Sequence, residues 1–336
     1  MVTIRDVSAL AHVSKSTVSR VVANNGAVSP SARKRVEEAI RVLGYRPNQS
    51  ARNLKQQKSN TLGVVVVDLA SPFYSQILGG VQQTAEANGK HMVVTSGHGD
   101  KEAELAAVQS LLDRQCDGLL VFIENDFPAE VFNVRKNQSC PVVALGREVP
   151  QLAKSSVRVD NYRGGYLAAK HLVEAGHKHI AHLAGPNEYE DARLRKQGFL
   201  DAMEEGGIPK SQYRILTGEY TERSGYELTR KLFAEPNALT AICSGDDDMA
   251  AGVYSALRDL NIAIPNQVSV VGYDDNFHAR HLYPSLTTVR QPIVQMGEIA
   301  VELLLKTLQQ PDLTPQQIVL MPELIQRDSV RFLNRD

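Results

Sequence analysis

The stretch Val13–Val22, VSKSTVSRVV, has the pattern of a short helix with two different faces. Val18, Val21 and Val22 recur at helical spacing and would pack this segment against a neighbouring helix. Ser14 precedes the run and is placed to cap its first free N–H groups. Because cations suit phosphates and short hydroxyls suit base edges, the opposite face is typical of a DNA contact. That face carries Lys15, Ser16, Thr17, Ser19 and Arg20.

A second helical pattern lies immediately before this stretch. Thr3 is placed as its N-cap, and Asp6, three positions later, makes an approximate capping box. Only about two residues separate the two helices. Two short helices on so tight a turn indicate a helix-turn-helix, whose second helix enters the DNA major groove. On these residues alone, a small helical hairpin without a DNA role is the alternative.

Specific motifs in this region resemble the headpiece of the lactose/galactose repressor (LacI/GalR) family, in particular its galactose- and β-glucoside-type repressors. The matching segments are Thr3–Val7 and Val13–Val21, continued at the expected spacing by Val28-Ser29 and Gly44–Asn48. The resemblance extends over nearly the whole chain. It implies a transcriptional repressor in which residues 1–46 are a helix-turn-helix DNA-binding headpiece, 47–59 a hinge, and 60–336 an effector-binding and dimerisation core.

The charges of the chain are distributed unevenly. The 336 residues contain 37 Lys or Arg and 38 Asp or Glu, a formal net charge of −1. Residues 1–58 hold eleven of the cations and three of the anions, a net charge of +8, which leaves −9 for the remainder. A basic module joined to an acidic body is the electrostatic signature of a nucleic-acid binder. A merely solvated basic surface would not explain its confinement to one end.

A third helix and a polar segment complete the N-terminal region. Ser29-Pro30 supplies an N-cap and a first-turn proline, and Gly44 supplies the C-terminal cap. The family resemblance makes the following polar segment a hinge helix that folds on DNA, with Leu54 as a wedge in the minor groove. Packing of Leu54 on the core is the alternative. The expected DNA contacts are Thr3, Lys15, Ser16, Thr17, Ser19, Arg20, Asn24, Asn48, Ala51 and Leu54.

From Thr61 onwards the sequence alternates between short apolar strands and amphipathic helices. Leu62–Val67 is a continuous apolar run, as expected of a strand covered on both faces. This βα repetition predicts an α/β fold with two doubly wound parallel-sheet lobes, which resemble periplasmic sugar-binding proteins. We expect the N-lobe to hold about residues 60–159 and 291–319, and the C-lobe about 160–290 and 320–332.

Enzymatic motifs are incomplete or missing in the sequence. Gly97-His98-Gly99 is half of a GxGxxG motif, and no GxSxG or HExxH motif occurs. Cys116, Cys140 and Cys243 lack metal-ligand spacing, which favours buried free thiols in a reducing cytoplasm. His177 is expected at the surface. We therefore expect no enzyme, no cofactor and no metal site, and no membrane association, because no apolar run reaches about 20 residues.

Acidic residues follow two of the predicted strands. Asp246, Asp247 and Asp248 end one strand, and Asp274-Asp275 end another, where open α/β sheets bind ligands. Paired carboxylates of this kind hold a metal, act as acid and base, or accept hydrogen bonds from ligand hydroxyls. Aspartates also cap helices, which is the favoured role for Asp247 and Asp248.

The family resemblance favours hydroxyl binding. It implies that Arg195 is the effector-binding arginine and that Tyr220 covers the ligand, whereas Arg147 stands where some relatives carry an acid. An aromatic ring beside Asp and Arg suits a sugar, a hexose or a glycoside. The expected effector contacts are Asp68, Phe73, Tyr74, Arg147, Asp191, Arg195, Tyr220, Asp246, Asp274 and Gln291.

Two other interpretations of the function stay open at this point. A purine would also stack on an aromatic ring and could serve as a co-repressor. A protein of another class, a sugar-binding or sugar-processing enzyme with a docked helical N-terminus, would show the same core pattern. The favoured interpretation is an allosteric homodimer on a near-palindromic double-stranded operator, located in the cytoplasm at the nucleoid.

Overall fold

The computed structural model of the protein describes residues 2–45, 59–127, 140–234 and 238–333. The chain divides into two compact units, Met1–Ser59 and Asn60–Asp336. Within the described ranges, no helix combines the length and apolar character that crossing a membrane requires.

The first unit is a three-helix headpiece made of α1 (Ile4–Leu10), α2 (Lys15–Val22) and α3 (Pro30–Leu43). Its small core is aliphatic and consists of fully or nearly fully buried side chains from all three helices: Val7, Ala11, Val18, Val21, Val36 and Ala39. The valine stripe predicted for α2 therefore packs inward, as the helical spacing requires.

The ends of these helices are formed as the sequence predicts. The Asp6 carboxylate accepts hydrogen bonds of 2.8 Å from both the N–H and the hydroxyl of Thr3. Ser14 and Ser29 accept from backbone N–H groups in the first turns of α2 and α3. Gly44 ends α3 in the left-handed region at φ 60°, where glycine carries no Cβ penalty.

The first lobe of the second unit is a six-stranded parallel sheet in the order β11-β5-β4-β3-β1-β2. Its aliphatic core lies between the sheet and the helices on its faces, with Leu62, Val64 and Leu120 fully buried. The elements are β1 (Thr61–Val66), α4 (Pro72–Ala87), β2 (His91–Ser96), α5 (Lys101–Asp113), β3 (Gly118–Val121), β4 (Val142–Leu145), β5 (Ser155–Val159), and later in the chain α11 (Ile293–Gln309) and β11 (Gln317–Leu320).

The second lobe is another six-stranded sheet, in the order β12-β10-β9-β8-β6-β7. It is parallel except for the edge strand β12, which pairs antiparallel with β10, a common feature of large mixed sheets. The elements are α6 (Asn161–Glu174), β6 (Ile180–Ala184), α7 (Glu190–Glu205), a 3-10 turn (Lys210–Gln212), β7 (Tyr213–Thr217), α8 (Glu222–Leu232), β8 (Ala241–Ser244), α9 (Asp247–Asp259), β9 (Ser269–Asp274), α10 (Phe277–His281), β10 (Thr287–Arg290) and β12 (Glu323–Ile325).

The two sheets are joined by three passages of the chain. The first follows β5, the second follows β10 and the third follows β11. The predicted fold class is confirmed: a helical headpiece and two doubly wound lobes dominated by parallel strands. The strands β5, β10, β11 and β12 were not predicted from the sequence pattern.

The prediction that His177 lies at the surface is wrong. The side chain is buried, with Nδ1 2.9 Å from Thr240 Oγ1 and Nε2 3.1 Å from the carbonyl oxygen of Arg331. Burial lowers the pKa of His177 to about 4, so the ring is neutral. The segment near the C-terminus covers it, a contact across more than 150 residues that local sequence does not reveal.

Candidate functional site

A cavity of about 300 Å³ lies where the carboxyl ends of strands from both sheets of the core converge. Asp274 is the last residue of β9, and Asp246 and Gln291 follow β8 and β10 closely. This is the place where open α/β sheets bind ligands. The cavity is lined by Val67, Asp68, Ser71, Phe73, Tyr74, His98, Phe122, Glu124, Gly146, Val159, Asn161, Tyr189, Asp191, Arg195, Glu219, Tyr220, Thr221, Asp246, Asp274, Gln291 and Met296.

Arg195 on α7 is the cation of this cavity and is almost fully buried. Its Nε donates to Asn161 Oδ1 at 2.9 Å, and its other two nitrogens contact the Gly245 carbonyl at 2.8 Å and Asp191 Oδ2 at 3.0 Å. The guanidinium carbon lies 3.9 Å from the centroid of the Tyr273 ring. The side chain is therefore held in one orientation before any ligand arrives.

The charge of Arg195 is maintained by its neighbours. Burial acts to lower the pKa of the guanidinium, but Tyr220, Asp191 and other groups around it raise that pKa well above its ordinary value. A permanently charged, planar donor suits ligand hydroxyl or carboxylate oxygens.

Two carboxyl groups of the second lobe face the same cavity. Asp274 Oδ1 accepts from Gln291 Nε2 at 2.5 Å, and Asp246 Oδ1 accepts from the Met249 N–H at 2.7 Å. Burial raises the pKa of Asp274 to about 7, and it also raises that of Asp246, with a further contribution from the charge of Asp274. A carboxyl group that holds its proton can donate to a ligand hydroxyl as well as accept from one.

The sequence prediction that Asp247 and Asp248 cap the helix is wrong by one or two positions. Asp246, with an extended backbone, is the N-cap of α9. Asp247 is fully buried and accepts from Thr288 Oγ1 at 2.7 Å and from the Asn276 N–H at 2.9 Å. Asp248 accepts from the Asn276 side-chain amide at 2.9 Å. These two carboxyl groups tie β10 and the loop after β9 to α9.

Aromatic rings of the first lobe form an apolar wall of the cavity. Phe73 and Tyr74, in the first turn of α4, meet Phe122, which follows β3. The three rings contact one another edge to face, with centroids 5.1 to 5.8 Å apart. On the second lobe, the Tyr220 hydroxyl donates to Asp191 at 3.2 Å. The cavity therefore offers aromatic surface beside a buried cation and buried acids.

The structure brings nine of the ten expected effector contacts into this lining, all except Arg147. The Arg147 guanidinium instead contacts the Asp126 carboxylate at 2.6 and 2.9 Å and the carbonyl oxygen of Glu124 at 3.3 Å. It thus fastens the loop after β3. Sequence reasoning missed Asn161, Tyr189 and Glu124, although Glu124 follows a strand end just as Asp246 does.

The expected DNA contacts on α2 lie on one face of the headpiece. Lys15, Ser16 and Arg20 are exposed, and Thr17 and Ser19 are partly exposed. The Ser14 hydroxyl oxygen accepts from the Thr17 N–H at 3.2 Å, which orients the first turn. The polar face of α2 is therefore free to contact a ligand, while its valines hold the helix in the headpiece.

The remaining expected DNA contacts fall in two groups. Thr3 is the exposed N-cap of α1, and Asn24 follows α2 in the left-handed region at φ 47°, where its side chain accepts from Arg33 at 3.1 Å. Asn48, Ala51 and Leu54 lie outside the described residues.

The cysteines are free thiols, and Cys116 and Cys243 are buried while Cys140 is partly exposed. Burial raises the pKa of Cys116 to about 11 and the pKa values of Cys140 and Cys243 to about 12. These thiols are therefore protonated at neutral pH and weakly reactive. In the described part of the chain, no three or more His, Cys, Asp or Glu side chains are grouped as a metal ion requires.

Comparison with known proteins gives matches for both the headpiece and the core. Residues 3–48 match the model described as bacterial regulatory proteins, lacI family, and residues 169–330 match a periplasmic binding protein-like domain. The chain is 38% identical to the HTH-type transcriptional regulator GalS of Salmonella typhimurium over 336 residues, which covers 99% of this chain and 97% of GalS. The chain belongs to the lacI family. As a lacI-family member it is a DNA-binding transcriptional regulator, not an enzyme.

Solved structures support the same assignment for this lacI-family chain. A Lac repressor dimer bound to operator and the anti-inducer ONPF has a TM-score of 0.85 and 30% identity, covering 98% of this chain and 99% of that one. The complex of the transcriptional regulator CelR with cellobiose has a TM-score of 0.73 and 31% identity, covering 98% of this chain and 100% of that one.

Proposed function

We propose that this lacI-family protein is a sequence-specific repressor whose affinity for its operator is controlled by a sugar or glycoside in the core cavity. The observation that carries the sugar is the lining itself: an oriented Arg195, buried acids and an aromatic wall around about 300 Å³. Sugar rings stack on aromatic faces, while their hydroxyls bond to guanidinium and carboxyl groups. The cellobiose bound to CelR is in keeping with this ligand class.

The DNA-binding role is assigned to the polar face of α2. Arg20 and Lys15 would reach phosphates or guanine edges, and Ser16 and Thr17 base edges. Arg20→Ala should reduce the preference for the operator over random DNA by about tenfold or more, since one good base contact contributes about 1–3 kcal/mol. Arg223→Ala, at an exposed arginine of α8, is the matched control. An unchanged preference in the Arg20 variant would reject the assignment to α2.

We infer that the functional form is a homodimer on a near-palindromic operator. One headpiece contacts few base pairs, so two related headpieces are needed for a unique site.

In this proposal residues 47–59 form a hinge that folds on DNA, and Leu54 enters the minor groove. Leu54→Ala should weaken operator binding and reduce DNA bending. Unaltered bending would count against the wedge. A regulator of this kind acts in the cytoplasm, at the nucleoid.

A ligand screen tests the sugar effector. The full-length protein is heated with each member of a panel of mono- and disaccharides and purines, and each stabilising compound is then added to an operator-binding assay. We expect sugars to raise the melting temperature and to change operator affinity, with the direction distinguishing induction from co-repression. Stabilisation by purines alone would replace the sugar with a purine co-repressor. By linkage, operator must change sugar affinity by the same factor as sugar changes operator affinity.

A further inference from the structure

The side chains that line the core cavity differ in their exposure to solvent. Arg195 and Asp274 are buried and belong to the floor of the cavity. His98, Glu219 and Thr221 also belong to the lining but are exposed, so they mark its mouth. Because His98 follows β2 of the first lobe and the other two follow β7 of the second, the mouth lies between the lobes.

Tyr189 reaches from one lobe to the other at this mouth. It is the N-cap residue of α7 in the second lobe, and it is a partly exposed member of the lining. Its hydroxyl meets the loop after β2 in the first lobe, where a Cβ placed on Gly99 would lie only 2.5 Å from the hydroxyl oxygen. Burial, together with the charges of Glu124 and Glu219, raises the pKa of Tyr189 to about 12, so the hydroxyl is neutral.

The first-lobe side of this contact is fixed by hydrogen bonds. Gly99 has a φ of 67°, in the left-handed region that favours glycine. Its carbonyl oxygen accepts from Asn125 Nδ2 at 3.0 Å, and the buried Glu104 carboxylate accepts from the Asn125 N–H at 3.1 Å. A side chain at position 99 would collide with the Tyr189 hydroxyl, so the place of the tyrosine ring depends on this glycine.

The volume of the cavity suits a single sugar ring. The space of about 300 Å³ equals that of roughly ten water molecules and is at the lower end of the range for small-molecule sites. One ring that stacks on the aromatic wall and bonds to Arg195 would occupy most of it. A second ring would have to extend away from the buried floor towards the mouth, where Tyr189 lies.

We propose that Tyr189 closes the mouth of the cavity against Gly99 and thereby makes the site selective for single-ring sugars over sugars extended by a second ring, as in disaccharides. The proposal rests on the proposed sugar effector and names its size class. The tyrosine ring acts by excluding the larger ligand rather than by improving contacts with the smaller one, which is a common basis of specificity.

Calorimetric titration of the full-length protein tests this selectivity. The probes are pairs of a single-ring sugar and a two-ring counterpart: glucose with cellobiose, galactose with lactose, and ribose with phenyl riboside. For any single-ring sugar that binds, we expect its counterpart to bind at least about tenfold more weakly. A counterpart that binds as tightly overturns this inference and leaves the sugar effector standing. Binding by no probe overturns both.

Tyr189→Ala isolates the role of the ring. Opening the mouth should raise the affinity for the two-ring counterpart, relative to the single-ring sugar, by about tenfold or more. Tyr189→Phe keeps the ring and should keep the selectivity. Tyr226→Ala is the matched control, at a partly buried tyrosine outside the lining whose hydroxyl donates to Asp259 at 3.1 Å. A ratio in the Tyr189→Ala protein equal to that of the wild type would overturn the assigned role.

Gly99→Ala tests the contact between the lobes. The added methyl group should displace the Tyr189 ring and lower the selectivity for single rings, but it should change the ratio no further when combined with Tyr189→Ala. Backbone strain at position 99 is present in both backgrounds, so it cancels in this comparison. Equal effects of Gly99→Ala on the ratio in the two backgrounds would show that Gly99 does not hold Tyr189 in place.

Discussion

Arg195 connects three elements of the second lobe. Its partners come from α6 through Asn161, from the residue after β8 through the Gly245 carbonyl, and from α7 itself through Asp191. Removing one partner from a buried charged network leaves the others uncompensated. The side chain therefore has a structural role in addition to its proposed role as a donor to the ligand.

Arg195→Lys should lose most of the response to sugar while keeping operator binding. Lysine retains the charge but cannot reproduce the planar fork that contacts Asn161, Gly245 and Asp191. We expect sugar affinity to fall by about tenfold or more, since each charge-assisted hydrogen bond contributes about 1.5–3 kcal/mol. Titration of sugar, and of operator without sugar, measures the two effects separately. Sugar affinity equal to the wild type would show that the guanidinium does not contact the ligand.

The buried acids make the stability of the core depend on pH. Burial is the main cause that raises the pKa of Glu124 to about 8 and that of Asp274 to about 7, from ordinary values of 4.5 and 3.8. At a pH between the ordinary and the raised pKa of each group, the folded protein keeps that carboxyl group protonated, whereas the unfolded chain has released its proton. The free energy of unfolding should therefore decrease as pH rises from about 4 to about 8.

Urea unfolding at about pH 6 and about pH 8 measures this dependence. The double variant Glu124→Gln, Asp274→Asn lacks both groups, so the difference in unfolding free energy between the two pH values should shrink. The same difference in both proteins would mean that these carboxyl groups ionise normally in the folded core.

The helix α2 shows how a short element can be held by its surroundings. Eight residues are too few for a stable isolated helix in water. Val18 and Val21 are buried against α1 and α3, and Ser14 caps the first turn. The polar face of α2 therefore takes no part in the packing of the headpiece core. Anything that loosens α3 should loosen the DNA-binding face as well.

Gly44, at the end of α3, provides a test of that dependence. Its backbone φ of 60° is unfavourable for alanine and less so for asparagine. Gly44→Ala should destabilise the headpiece by about 1–2 kcal/mol, and Gly44→Asn by less. Hydrogen exchange of the α2 and α3 amides in the full chain measures both. Equal effects of the two substitutions would argue that backbone strain is not the cause.

The whole molecule combines a basic segment with an acidic body. Residues 1–58 have a net charge of +8 and the remainder −9. The basic segment attracts a polyanion such as DNA.

Operator binding should therefore depend steeply on salt, whereas binding of a neutral sugar should not. A protein that makes about six to ten phosphate contacts loses roughly a thousand- to hundred-thousand-fold in affinity between about 50 and 200 mM salt. Binding of operator and of a neutral sugar, each measured across this range, gives the two slopes. A shallow slope for operator would mean that the basic segment contributes little to DNA binding.

Local sequence was sufficient for the features that depend on near neighbours. Hydrogen bonds within a few residues account for the caps at Ser14, Ser29 and Gly44. Short-range periodicity accounts for the valine stripe of α2 and the apolar run of β1. The rule that ligands bind at strand ends also pointed to Asp246 and Asp274. The predicted caps, the valine stripe and the strand are confirmed because the interactions that stabilise them are encoded at short separation.

Features that join distant segments of the chain could be recognised only in the tertiary structure. Three examples depend on tertiary contacts. Arg147 contacts Asp126, His177 is buried under the C-terminal segment, and Asp247 accepts a hydrogen bond from Thr288. The same holds for the position of Glu124 in the lining of the cavity. Side-chain direction and burial arise from packing between elements far apart in the chain, and local patterns carry no information about that packing.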